Sequence, residues 1–344
     1  MLPAVSRRWH GRVGDDAMTL VIGIDEAGYG PNLGPLVIGG SLWRVMDAAP
    51  GGAAAAADDQ LTTLGTALAQ RQPNGRLLWG DSKKIYNRQR GEAAALAALE
   101  RGVLAAVAVT GSLPVIGADL LDTLGLPLAT DAAAGCWQSL AEQHLPHAAT
   151  ATDCQQAAAV ASDSLAAHQI ELLAVACRWV FPTAFNAALE SGRNKSDILS
   201  QTSLGLAADL RRHDPATAAT ICCDRHGGRK RYAGVVSHCF AAARVEPLAE
   251  SSTCSRYRIH SDGPATTISF SVGGESQLPV AVASMTAKYL RELAMTAFNR
   301  FWAEQMPTMR PTAGYPLDAR RWWQETAEPR QRLAIPDHAL WRRA

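Results

Sequence analysis

Apolar positions near the start of the chain fall into two runs, Thr19 to Ile24 and Leu36 to Trp43, separated by the Gly- and Pro-rich stretch GYGPNLGP. Runs of this kind, rich in Val and Ile and broken by such residues, predict two strands in a hairpin-like opening. The Ala-rich stretch over 45–75 predicts a loop leading to a short helix, with a turn at Asn74-Gly75. In LLWGDSKKIYNRQRGEAAALAALERGVLAAV, Asp81 or Ser82 stands where an N-cap belongs, and a helical apolar period runs through the nineties. Leu172 to Val180 returns to a strand-like run, SDILSQTSLGLAADLRR reads as an amphipathic helix, and Thr217 to Cys223 as a short buried strand ending at Asp224. Thr267 to Val272 alternates like a strand, and a long helix follows with Pro279 in its first turn. Strands alternating with helices predict an α/β sheet. Residues 110–168 read as a helical insertion decorating the core, and 307–344 as loop and helix rich in Pro and Trp at the C-terminal edge. No internal repeat is present.

Acids end several of these apolar runs: Asp25 with Glu26 after LVIGI, Asp81 after LLWG, Asp224 after TICC, and Glu275 after SFSVGG. Taken singly, Asp81 fits a helix cap, and Asp224 or Glu275 fits a solvated loop. The adjacent pair resists that account, because a buried carboxylate is costly unless it is paired or holds a cation. Side chains alternate faces along a strand, so Asp25 and Glu26 share one site only if the chain leaves the strand there. Carboxylates gathered from several strand ends would make an oxygen-rich site suited to Mg²⁺ or Mn²⁺.

With 344 residues the chain can bury a large core, as one enlarged domain or two ordinary ones. Lys and Arg (33) nearly balance Asp and Glu (32), so a net charge of +1 excludes a global pull on a polyanion. Positive charge is local instead, in Lys83 and Lys84 beside Asp81, and in DRHGGRKRYAG, which carries Arg229 and Lys230. Such residues suit phosphate contacts, although an ordinary solvated face has the same composition. The glycine-rich loop has neither Walker nor GxGxxG spacing. His144 and His147 flank Pro146 and read as a surface loop, and Ser203 and Cys223 belong to no nucleophile signature. Seven cysteines without a CxxC pair predict reduced thiols in the cytoplasm. The first 18 residues carry charges and no apolar stretch, so a tail is expected there, not a signal or membrane anchor; Met18 could be the true start.

GIDEAGYGPNLGP resembles the opening motif of the type 2 ribonuclease H family, ribonuclease HII and its relatives, usually DEAGRGPxxGP. Further similarities follow in the family's order: DSKKI at 81–85, NKSDILSQTSLGLAADL, TICCD, GGESQLPVAVASMTAK, and AGYP at 313–316. The resemblance covers residues 19 to about 108 and 170–316. It implies a ribonuclease H-like mixed sheet flanked by helices, with a helical insertion at about 110–168 and a helical extension at 317–344. It also implies Mg²⁺ or Mn²⁺, and cleavage of RNA within an RNA·DNA hybrid or a ribonucleotide-containing duplex, with no role for a membrane. Carried across by position, Asp25, Glu26, Asp224 and Glu275 would bind metal, and Asp81 would belong to the DSKK signature. Gly28, Tyr29 and Gly30 would lie near the ribose 2′-OH, the group that separates RNA from DNA. Tyr315 would stack near the scissile nucleotide, and Lys83, Lys84 and Lys288 would be phosphate or structural contacts. Two departures stand out: Tyr29 replaces the usual Arg, and Glu275 the usual Asp. A duplex-binding protein with impaired catalysis, or another metal nuclease or phosphatase, are the alternatives.

Overall fold

The computed structural model describes residues 18–46, 53–70, 78–87, 89, 91–131, 133–240, 244–261 and 263–343. The expected N-terminal tail and the Asn74-Gly75 turn lie outside them. Seven strands form one mixed sheet: β1 (Met18–Ala27), β2 (Leu36–Met46), β3 (Ile170–Val180), β4 (Ala218–Asp224), β5 (Arg244–Glu250), β6 (Cys254–His260) and β7 (Thr266–Ser271). Their order is β3-β2-β1-β4-β7-β6-β5. The β1–β4 and β4–β7 pairs are parallel, and the others antiparallel. The chain is therefore of the α/β class that its alternating elements predict.

Helices cover both faces because the strands present apolar side chains on both. Along β1, Leu20, Ile22 and Ile24 point to one side and Val21 to the other. Named along the chain, the helices are α1 (Ala53–Gln70), α2 (Ser82–Ile85), α3 (Glu92–Thr110), α4 (Gly117–Thr123), α5 (Ser139–Glu142), α6 (Ala151–Ala167), α7 (Pro182–Glu190), α8 (Lys195–Arg211), α9 (Ala233–Cys239), α10 (Leu278–Gln305), α11 (Pro316–Glu325), α12 (Ala327–Arg332) and α13 (Asp337–Leu340). Buried residues of α7, α8 and α9 pack on the Leu20 side, and those of α1, α3, α6 and α10 on the other. Helix α10 is the spine of the second layer. It lies so close to β1 that a Cβ at Gly23 would stand 2.1 Å from the Pro279 carbonyl carbon. Helix α3 is long and apolar enough to cross a membrane by length and composition, but half of it is buried in this layer.

Three expectations change. The helical period from Ser82 through the nineties is two helices, α2 and α3, with Gly91 at φ +91° between them. The helix in the Ala-rich stretch is long, 18 residues. Residues 110–168 contribute to the core more than they decorate it. Trp137, 1 % exposed, stacks on Phe298 of α10 with ring centroids 5.0 Å apart, and the Cys177 N–H of β3 donates to the Leu124 carbonyl. A single residue fixes the far end of that segment. Glu100 of α3, fully buried, accepts from the N–H groups of His147, Ala148 and Ala149 at 2.6 Å each and from the Tyr289 hydroxyl at 2.5 Å. The β5–β6 hairpin was not foreseen. Pro247 sits in its edge strand, next to a register shift.

Candidate active site

Strand β1 pairs with β4 only as far as Ile24–Cys223, yet continues beside β2 to Ala27–Val37. The chain therefore does not leave the strand at Asp25, as the alternation argument required. Instead β4 stops alongside it, and the sheet opens a notch into which the last residues of β1 project. Asp224 closes β4 in that notch, and Glu275 enters from the short helical turn Gly274–Ser276 after β7. Asp25, Glu26, Asp224 and Glu275 all line one cavity of about 630 Å³.

The electrostatics are those of crowded carboxylates. Burial raises the proton affinity of Asp25 well above the usual range, and the charges of Glu26 and Asp224 add to it; a hydrogen bond with Ser284 works the other way. Burial, then Asp224, pushes Glu26 up to about 7. Among the described residues, Glu26 Oε2 is buried with no hydrogen-bond partner. Glu275 is tied instead to α2: Ser82 donates to Oε2 through its N–H (3.1 Å) and its hydroxyl (3.3 Å), and Lys83 Nζ lies 3.1 Å from Oε1. Ser284 Oγ lies 3.1 Å from Ser82 Oγ, so two serine hydroxyls stand between Asp25 and Glu275. Asp224 accepts from the Gly274 N–H at 2.9 Å.

An orphaned oxygen, an all-carboxylate donor set and proton affinities raised by burial and then by neighbouring charge fit a hard divalent cation, which Asp25, Glu26, Asp224 and Glu275 would hold. Among the described residues no three Asp, Glu, His or Cys side chains already stand as a closed metal centre.

Of the other residues singled out in the sequence, Gly28, Lys83, Lys288 and Tyr315 line the same cavity. Gly28 has φ +83°, and a Cβ there would meet Arg291 Nε at 2.6 Å. Lys288 Nζ sits 4.6 Å from the Tyr86 ring centroid. Tyr315, 54 % exposed, presents its ring at the rim. Tyr29, Gly30, Lys84, Arg229 and Lys230 lie outside the lining. Tyr29 packs under Lys195, whose Nζ is 4.7 Å from the ring centroid. Gly30 and Lys230 are exposed, and Arg229 is bonded to Asp197 and Ser196. Lys84 Nζ lies 3.9 Å from Asp81. Asp81 caps α2, accepting from the Lys83 N–H at 2.9 Å, so it acts as the N-cap.

Sequence reasoning missed Ser82, Tyr86, Ser284, Arg291 and Glu292, which also line the cavity. For the last three a signal existed, because Ser284, Lys288, Arg291 and Glu292 follow helical one-face spacing within an otherwise apolar helix. All seven cysteines are free, and burial pushes the Cys222 thiol up to about 12 and holds the Cys223 thiol well above its usual range, so neither is an activated nucleophile.

No family model and no curated protein matches the chain. Similar solved structures include ribonuclease HII of Archaeoglobus fulgidus in complex with PCNA, with 13 % identity, 93 % of each chain covered and a TM-score of 0.39. Ribonuclease H2 of Pyrococcus horikoshii OT3 gives 12 %, 93 % of this chain and 92 % of the other, and 0.41. Bst-RNase HIII in complex with Mn²⁺ gives 14 %, 94 % and 66 %, and 0.40. Scores this low carry no weight on function, which has to be argued from the cavity.

Proposed function

We propose that the chain is a divalent-cation-dependent endoribonuclease that hydrolyses the RNA strand of RNA·DNA hybrids, leaving 5′-phosphate and 3′-hydroxyl ends. The observation that carries this is the meeting of Asp25, Glu26, Asp224 and Glu275 in one cavity, although they are spread over 250 positions. The motifs resembling the type 2 ribonuclease H family supply the choice of substrate. Mg²⁺ or Mn²⁺, when bound, supplies the positive charge that activates water and stabilises the departing oxygen.

The chain's own groups do the rest. Asp25, Glu26, Asp224 and Glu275 would hold the cation, with the Ser284 hydroxyl as a polar neighbour of Asp25 in the same cavity. Lys83 and Lys288 bring positive charge to the mouth for the phosphate backbone. The exposed ring of Tyr315 offers a stacking surface at the rim. Water oxygen bonds to phosphorus as the bond to the 3′ oxygen breaks, and that oxygen leaves with a proton. The seven unpaired thiols suit a reducing, cytoplasmic setting.

One feature favours a second reading, a duplex-binding protein with impaired catalysis: Glu275 is already occupied by Ser82 and Lys83. Labelled duplexes carrying one, four or all ribonucleotides, incubated with Mg²⁺ or Mn²⁺, separate the two. A ribonuclease nicks the RNA strand only with metal and stops when Asp25→Asn is introduced. Salt-sensitive binding without cleavage favours the second reading, and equal cutting of DNA·DNA duplexes overturns both.

A further inference from the structure

We infer that Arg342 is a positioning residue of this site, holding the glycine-rich loop that forms the cavity wall next to Asp25 and Glu26; the inference deepens the hydrolase proposal and rests on it. Arg342 is 1 % exposed. Its Nη2 donates to the Gly28 carbonyl at 2.6 Å and also to the Pro31 carbonyl. Among the described residues no carboxylate pairs with it, and its Nε and Nη1 find no acceptor. Burial, with Arg291 nearby, pulls its proton affinity down to about 9. A buried cation without an anion is costly, and here the loop carbonyls are what offset that cost.

The main chain reinforces the grip. Arg342 N–H donates to the Asn32 carbonyl at 2.8 Å, Asn32 Nδ2 donates back to the Arg342 carbonyl at 3.1 Å, and Leu33 bridges to Trp341. Asn186 of α7 anchors this segment in turn, donating to the carbonyls of Trp341 (2.7 Å) and His338 (2.8 Å).

Peptide planarity turns the grip into a statement about the loop. In a trans peptide the C=O and the next N–H point in opposite directions. With the Pro31 carbonyl drawn to Arg342, the Asn32 N–H points away and donates to the Gly314 carbonyl at 2.8 Å. With the Gly28 carbonyl drawn to Arg342, the Tyr29 N–H points away as well, and it finds no acceptor among the described residues. Arg342 thus sets the orientation of the Gly28–Tyr29 and Pro31–Asn32 peptides in the loop whose Gly28 lines the acids' cavity, from a position 317 residues from Asp25 in the chain.

The test uses the full chain with Arg342→Met, Arg342→Lys and Arg342→Ala, the last with and without added guanidinium ion. Amide hydrogen exchange over residues 28–34 is read beside kcat and KM on a uniform hybrid. With Arg342→Met, exchange over 28–34 should quicken about tenfold while α3 and α10 change less than about twofold. On the same variant kcat should fall about ten- to a hundredfold with KM nearly constant. Guanidinium should restore both loop protection and rate to Arg342→Ala, and Arg342→Lys should be intermediate. Unchanged exchange over 28–34, exchange that quickens evenly over the whole chain, or no guanidinium rescue overturns the role. Should Arg342→Met not fold, Arg342→Lys decides by the same readouts. If the wild-type chain cuts no hybrid, the hydrolase proposal fails, while the exchange and rescue data still decide what Arg342 does.

Discussion

Two groups of carboxylate are buried in this molecule, and they are built in opposite ways. Glu100 has every oxygen engaged: three backbone N–H groups and a tyrosine hydroxyl converge on it within 2.6 Å. Asp25 and Glu26 share a cavity with Asp224, whose charge adds to theirs, and among the described residues one Glu26 oxygen has no partner. Burial alone therefore does not mark a functional acid. Unanswered negative charge does, because only an incoming proton or cation relieves it.

Neutralising one acid from each group should have opposite consequences. Glu100→Ala leaves three part-buried N–H groups and the buried Tyr289 hydroxyl without their acceptor, and urea denaturation should show a loss of about 3–5 kcal/mol. Asp25→Asn should move the other way, adding about 1 kcal/mol to the metal-free protein by removing repulsion, while cutting hybrid cleavage by more than about a hundredfold. Equal losses of stability would erase the distinction.

A smaller effect follows from pH. The proton affinities of Asp25 and Glu26 are raised on folding, so the folded state binds more protons than the unfolded one once pH exceeds their ordinary values. Stability contributed by these groups is thus full in acid, falls as pH rises from the ordinary 4.5 of Glu26 to about 7, and falls further as Asp25 ionises. Melting temperatures of metal-free protein should drop between pH 5 and 8, and Mg²⁺ or Mn²⁺ should recover more at pH 8 than at pH 5. A profile flat to both would show that these acids are not crowded. The smallest effect belongs to Lys83, whose side chain is 78 % exposed. Lys83→Ala should alter stability by less than about 1 kcal/mol, yet tighten Mn²⁺ binding severalfold in calorimetry by releasing Glu275.

Much of this was visible in the chain. The β1–β2 hairpin, β4 ending at Asp224 and the Pro279-led α10 followed from apolar runs and their breaks, and the acids stood out by ending those runs. What stayed hidden depends on partners. That β1 continues past Asp25 is decided by its pairing with β2, which local sequence does not encode. The β5–β6 hairpin buries only Tyr257, Ile259 and Ser255 of β6, with Arg256 and Arg258 outward, so its alternation was masked by charge. Residues 110–168, rich in Ala, Leu and Thr, read as a decoration, but Glu100 reaches in from α3 to accept from that segment's backbone and is itself held by the Tyr289 hydroxyl of α10. Arg342 meets Gly28 across 314 positions, and nothing near either residue announces it.

The central claim is that four distant acids form one cation site at the sheet's notch. Its most direct test is Mn²⁺ titration by calorimetry at pH 8, comparing wild type with Asp25→Asn, Asp224→Asn and, as a control, Lys84→Ala. Binding by the wild type and the control, weakened at least about tenfold by either acid substitution, is the predicted result. Equal Mn²⁺ affinity in all four proteins would contradict it.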